Sequence, residues 1–131
     1  MKVAAITGFS GSGKTSVIVA LIARHVARGE RVAAIKHTHH KLNDRDEGDT
    51  ARFRAAGAEP VILASNDEAV VFASQTTKRV AFDDPRELLS HIDADVVFIE
   101  GFKSYDGWPR IEIDGRTAED VTAILDRIGA P

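Results

Sequence analysis

Gly8-Phe9-Ser10-Gly11-Ser12-Gly13-Lys14-Thr15 fits the pattern G-x-x-x-x-G-K-[ST], a phosphate-binding loop. Glycines at both ends let the backbone take turns that a Cβ would obstruct, so several N–H groups can point at one anion. Lys14 supplies a mobile ammonium for β- and γ-phosphates, and Thr15 a hydroxyl for Mg²⁺. The setting decides the reading. Val3-Ala4-Ala5-Ile6-Thr7 before the loop is strand-like, and residues 16–28 after it have a helical pattern. A chance match in a chain of this length has odds on the order of one per cent before that setting is considered. A strand, a glycine loop and a helix in succession predict an α/β fold that binds a nucleoside triphosphate, with the helix dipole adding to the attraction.

Outward from the loop, Ile18, Leu21, Ile22 and Val26 form an apolar stripe that should pack on a sheet, and Gly29 suits the helix stop. Residues 31–36 are a second strand, completing a right-handed β–α–β unit. The polar stretch 37–48 has no hydrophobic period and reads as a mobile loop at the functional edge of the sheet. A helix is expected over 49–56, ended by Gly57. Strands are expected over 60–64, 69–73 and 78–82, as antiparallel neighbours that offer an exposed edge to another subunit. Residues 84–91 form a short helix with Pro85 in its first turn and Asp83 or Asp84 as cap. A strand over 95–100 ends in Glu100, another spans 110–113, and a final helix covers 117–128. Thr117 and Asp120 have capping-box spacing, and Ala118, Val121, Ile124, Leu125 and Ile128 share a face of that helix. This order predicts one domain over residues 1–131 with a mainly parallel sheet, and ligands at the carboxyl ends of its strands.

With 131 residues, 44% hydrophobic and 28% charged, the chain is an ordinary globular protein by composition. A net charge of −3 gives no general attraction to nucleic acid or anionic lipid. No cysteine is present, which excludes disulfides and thiolate chemistry. No apolar run reaches the ~20 residues that span a bilayer. The N-terminus reads as a core strand rather than a signal peptide, so a cytoplasmic location is expected, where nucleotide and Mg²⁺ are available.

Val96-Val97-Phe98-Ile99-Glu100 has the form of a Walker B strand, with its acid beside the Mg²⁺ held by Thr15. Asp49 reads equally as a helix N-cap or as a carboxylate near the metal or an attacking group. Asp49 and Glu100 are the candidate catalytic carboxylates. His37, His39 and His40 suit either a solvated loop or anion recognition together with Lys36, Lys41, Arg52 and Arg54. Zinc is the weakest reading, because no acid stands at ligand spacing beside them. Lys103 can join that cluster from a neighbouring strand end, and Trp108 reads as a packed aromatic or as a stacking platform.

Five segments in order carry a family resemblance: Gly-Phe-Ser-Gly-Ser-Gly-Lys-Thr (8–15), Ile-Lys-His-Thr-His-His (35–40), Gly-Asp-Thr-Ala-Arg-Phe-Arg-Ala-Ala-Gly-Ala (48–58), Val-Ile-Leu-Ala-Ser (61–65) and Phe-Ile-Glu-Gly-Phe-Lys (98–103). Over about residues 2–113 the chain resembles the MobB family of molybdopterin-guanine dinucleotide biosynthesis adaptors. That resemblance implies a P-loop NTPase-like three-layer sandwich and a homodimer that binds GTP with Mg²⁺ and has at most weak GTPase activity. It further implies assistance to a MobA-type nucleotidyltransferase that attaches GMP to molybdopterin. By motif match, Ser10, Gly11, Ser12, Gly13, Lys14, Thr15 and Ser16 hold phosphates, and Thr15 and Glu100 the Mg²⁺. Lys36, His37, His39, His40, Arg52, Arg54 and Lys103 then surround the nucleotide or the anionic pterin. Family members usually continue past the 110–113 strand into a further strand, where this chain has one helix. No Asn-Lys-x-Asp element is present, so guanine preference is inherited from the resemblance. The alternatives are a small-molecule kinase of the same fold, using ATP with Asp49 as base, and a structural partner whose loop has lost its ligand.

Overall fold

The apolar runs of the chain become the strands of one sheet. In the computed structural model, which describes residues 1–8, 13–113 and 116–128, these are β1 (Lys2–Thr7), β2 (Val32–His37), β3 (Val61–Ala64), β4 (Glu68–Phe72), β5 (Thr77–Ala81), β6 (Val96–Glu100) and β7 (Arg110–Glu112). Their order is β5-β4-β3-β2-β6-β1-β7. The five strands from β3 to β7 in that order run parallel, and β4 and β5 turn back antiparallel. All of β6 is buried, as a central strand covered on both faces requires. The edge strand β7 alternates exposed, buried, exposed. β6 is inserted between the two strands of the expected β–α–β unit, so Glu100 lies in register with Ile6 on one side and Lys36 on the other.

Three helices, α1 (Lys14–Ala27), α2 (Asp49–Ala55) and α3 (Ala118–Ile128), cover one face. Ile18, Leu21, Ile22, Phe53, Val121 and Leu125 pack there on Ala4, Ile6, Ala34, Val96 and Phe98. The opposite face is covered by a 3-10 helix, Pro85–His91, and the segment that follows β6: Leu88, Phe102 and Trp108 lie on Ala5, Ala33, Ile35, Val97 and Ile99. The fold is therefore three-layered, with a thin third layer.

Several local expectations shift. α1 starts at Lys14, directly after Gly13 at φ 85°, a left-handed turn that favours glycine. Its buried stripe is Ile18, Leu21, Ile22 and His25, at i, i+3, i+4 and i+7, while Val26 is 38% exposed. Val26 lies a further 100° round the helix and faces Gly57. α2 is capped at Gly48, not Asp49, and Asp49 is its first residue. The segment 84–91 is a 3-10 helix whose cap is Asp84; its carboxylate accepts the Arg86 N–H at 2.9 Å. Leu42, in the stretch read as a polar mobile loop, is 9% exposed and packs on Val70 and Phe72. That stretch is anchored to the sheet.

Candidate functional site

The carboxyl ends of β1, β6 and β2 bring together residues far apart in the chain. Thr15, in the first turn of α1, donates its hydroxyl to Glu100 Oε1 at 2.7 Å and lies 3.4 Å from Asp49 Oδ2. Asp49 is presented by the first turn of α2, and Glu100 by the end of the buried strand β6, where it is only 5% exposed. Lys36, at the level of Glu100 on β2, places Nζ 2.9 Å from Asp49 Oδ2 and bonds to Glu100 Oε2. Burial opposes the charge on Lys36, but the bonds to Glu100 and Asp49 outweigh it and its pKa is raised. The ammonium of Lys36 is therefore held charged between two carboxylates.

This donor set suits a hard cation. A hydroxyl and two carboxylate oxygens, completed by water or phosphate, match the oxygen ligands that Mg²⁺ prefers, and an ammonium already sits among them. Beside them Lys14 Nζ donates to the Gly8 carbonyl at 2.6 Å. A cleft of about 440 Å³ joins Gly13, Lys14, Thr15 and Ser16 to Lys36, His37, His39, Glu100 and Lys103. Ser10, Gly11 and Ser12 lie outside the described residues.

His37 packs its ring on Phe102, with centroids 4.1 Å apart and 20° between planes, and meets His39 edge-on at 4.8 Å. Gly101 has φ 101°, and a Cβ there would come within 2.5 Å of His37 Cβ. The glycine after Glu100 thus lets the chain pass under the His37 ring. A second cleft of about 530 Å³ opens between His37, His39, Asn66, Lys103 and Tyr105. Asn66 and Tyr105 had no signal at the level of sequence, because their proximity comes from the β3–β4 turn and the segment after β6. Trp108 is 5% exposed and stacks edge-on with Phe102 and Tyr105, so it is a packed aromatic. Among the described residues, no three His, Asp or Glu side chains stand close enough to hold a metal by themselves.

Other members of the expected cationic cluster are elsewhere. Arg54 pairs with Asp46 at 3.2 Å and reaches the Ala73 carbonyl. Arg52 is exposed, 3.9 Å from Asp49 Oδ1. His40 is exposed and does not line the cleft. A larger cleft of about 660 Å³ lies at the amino ends of the parallel strands. Two of its rim charges are already paired, Arg31 with Asp93 and Asp95, and Glu30 with Arg28. The donor chemistry, not the volume, singles out the site at Thr15 and Glu100.

Comparison with known proteins agrees with this architecture. The profile of the family described as MobB, molybdopterin guanine dinucleotide synthesis protein B, matches residues 3–127. The chain is 42% identical over 99 residues to the molybdopterin-guanine dinucleotide biosynthesis adapter protein of Haemophilus influenzae, covering 75% of this chain and 55% of that protein. It therefore spans little more than half the length of that relative. It is 32% identical over 134 residues to the probable adapter protein of the same description from Bacillus subtilis, covering 93% and 74% of the two chains. The crystal structure of Bacillus subtilis MobB superimposes with a TM-score of 0.50 at 24% identity, over 94% of this chain and 73% of that one. With its mainly parallel sheet and a profile match along nearly its whole length, the chain belongs to the MobB family.

Proposed function

We propose that this protein binds a nucleoside triphosphate with Mg²⁺ and acts as an adaptor in the formation of molybdopterin guanine dinucleotide. The observation that carries the reading is the 2.7 Å contact of the Thr15 hydroxyl with the Glu100 carboxylate beside the Lys14 ammonium. In phosphate-loop proteins that trio faces the β- and γ-phosphates and their metal. Thr15 and Glu100 hold Mg²⁺ directly or through water, with Asp49 as a further oxygen donor. Mg²⁺ supplies charge neutralisation between phosphate oxygens when bound. Lys103, His37 and His39 border both the phosphate cleft and the neighbouring one, which suits a second anionic ligand such as the pterin phosphate. GTP is the expected nucleotide through kinship with adapter proteins of that pathway. The protein works as a homodimer in the cytoplasm, and its partner is a MobA-type nucleotidyltransferase.

The kinase alternative needs Asp49 as a free base, and its place with Glu100 on the Thr15 hydroxyl puts it on the metal side instead. Calorimetry with GTP and ATP in Mg²⁺ tests the proposal: GTP binds more tightly, and Lys14→Ala removes one or more charge-assisted bonds of ~1.5–3 kcal/mol each, or roughly 10–100-fold in affinity. Equal binding by wild type and Lys14→Ala overturns the site, and phosphoryl transfer from ATP to a small acceptor overturns the adaptor.

A further inference from the structure

Metal sites that serve nucleotides gather negatively charged oxygens. Here those oxygens are already neutralised by a side chain of the protein. Lys36 Nζ lies 2.9 Å from Asp49 Oδ2 and bonds to Glu100 Oε2. The hydroxyl of Thr15 meets the same two carboxylates, at 3.4 Å and 2.7 Å. Both carboxylates of the magnesium reading therefore meet one ammonium, and the Thr15 hydroxyl meets both carboxylates. Glu100 is almost fully buried and the Lys36 side chain is 24% exposed, so solvent screens these charges poorly. A divalent ion and an ammonium repel, and they cannot both be seated between the same oxygens.

Resting on the reading of Thr15 and Glu100 as the metal side of a nucleotide site, we propose that Lys36 is a resident cation that keeps the metal's place, and that the divalent ion enters as Lys36 turns to the nucleotide phosphates. Lys36 lines the same cleft as Lys14 and Lys103, so an incoming polyphosphate offers its ammonium a new anionic partner. The vacated carboxylates then receive the metal. Metal and nucleotide each favour the other, and such coupling is reciprocal. Sequence alone assigns Lys36 to anion binding; the fold makes it the counter-ion of two acids.

Mn²⁺ binding to nucleotide-free protein, followed by electron paramagnetic resonance, tests this in wild type, Lys36→Met and Lys36→Gln. Without the ammonium, Asp49 and Glu100 face each other across Thr15 with uncompensated charge. Both variants should bind Mn²⁺ at least ten times more tightly than wild type, and Mn²⁺ should raise their urea midpoints more than that of wild type. A methionine variant that folds only when Mn²⁺ is added supports the proposal. Lys36→Gln keeps a polar group between the oxygens and decides the matter where the methionine variant does not fold. Unchanged or weaker Mn²⁺ affinity in Lys36→Gln overturns it and leaves Lys36 as a fixed structural partner. Failure of the underlying reading looks different: wild type then gains no GTP affinity from Mn²⁺ at all.

Discussion

Nδ1 of His37 accepts the Phe102 N–H at 3.3 Å, and its Nε2–H donates to Asn66 Oδ1 at 2.8 Å, a pairing that the neutral ring makes and the imidazolium does not. Burial lowers its pKa; the bond to Asn66 opposes the shift and the nearby His39 adds to it. As pH falls, the unfolded chain takes up this proton before the folded protein does. The contribution of His37 is therefore complete above about pH 6.5 and is lost as pH drops through the folded-state value. Urea unfolding between pH 7.5 and 5 should show wild-type stability falling towards acid, by at most about 1.4 kcal/mol per pH unit from this one proton. His37→Gln should flatten that dependence, and identical slopes for the two proteins would contradict the assignment. At this scale the meeting of Thr15 with Glu100 was legible, because Thr15 has a fixed covalent spacing from Gly13 and the acid ends an apolar strand. The Lys36 pairing was not, since 64 residues separate it from Glu100.

α3 shows what one element draws from its own sequence and what it draws from its neighbours. Thr117 Oγ1 accepts the Asp120 N–H at 3.2 Å, and Asp120 Oδ2 accepts the Thr117 N–H at 2.8 Å. This is the capping box that the spacing predicts. Thr117→Ala should cost about 0.5–2 kcal/mol, read from the urea midpoint, with hydrogen exchange accelerating first in α3; an unchanged midpoint and unchanged exchange would rule out the cap. The docking of α3 is tertiary. Val121 and Leu125 are buried, and Thr122 meets His25 Nε2 at 3.2 Å. The exposed pair Arg28–Asp126 adds little, because its charges are well solvated. α1 teaches the converse: its apolar residues suggest Val26 as core, yet His25 is buried there because Glu30 and Thr122 satisfy both ring nitrogens.

The whole molecule is two unlike faces on one sheet. Helices lie on one side, and the 3-10 helix with Phe102 and Trp108 on the other. Trp108 is the sole tryptophan, so its fluorescence reports the thin layer, while far-ultraviolet circular dichroism reports mainly the helical one. Because both layers pack on the same buried strands, the two signals should give coincident urea transitions. A fluorescence transition that precedes loss of helix would show the thin layer melting alone. What this protein owes to its sequence by itself is local: the start of α1 after Gly13, the alternation of strands and helices, the caps and most of the apolar faces, all set by residues within a few positions of one another. Tertiary structure alone decided that β6 enters between β1 and β2, that Lys36 meets Asp49 and Glu100, and that Arg54 turns away to Asp46. Those outcomes depend on strand order and on charge partners distant in the chain, where the packing of a shared core, not local spacing, selects the neighbours.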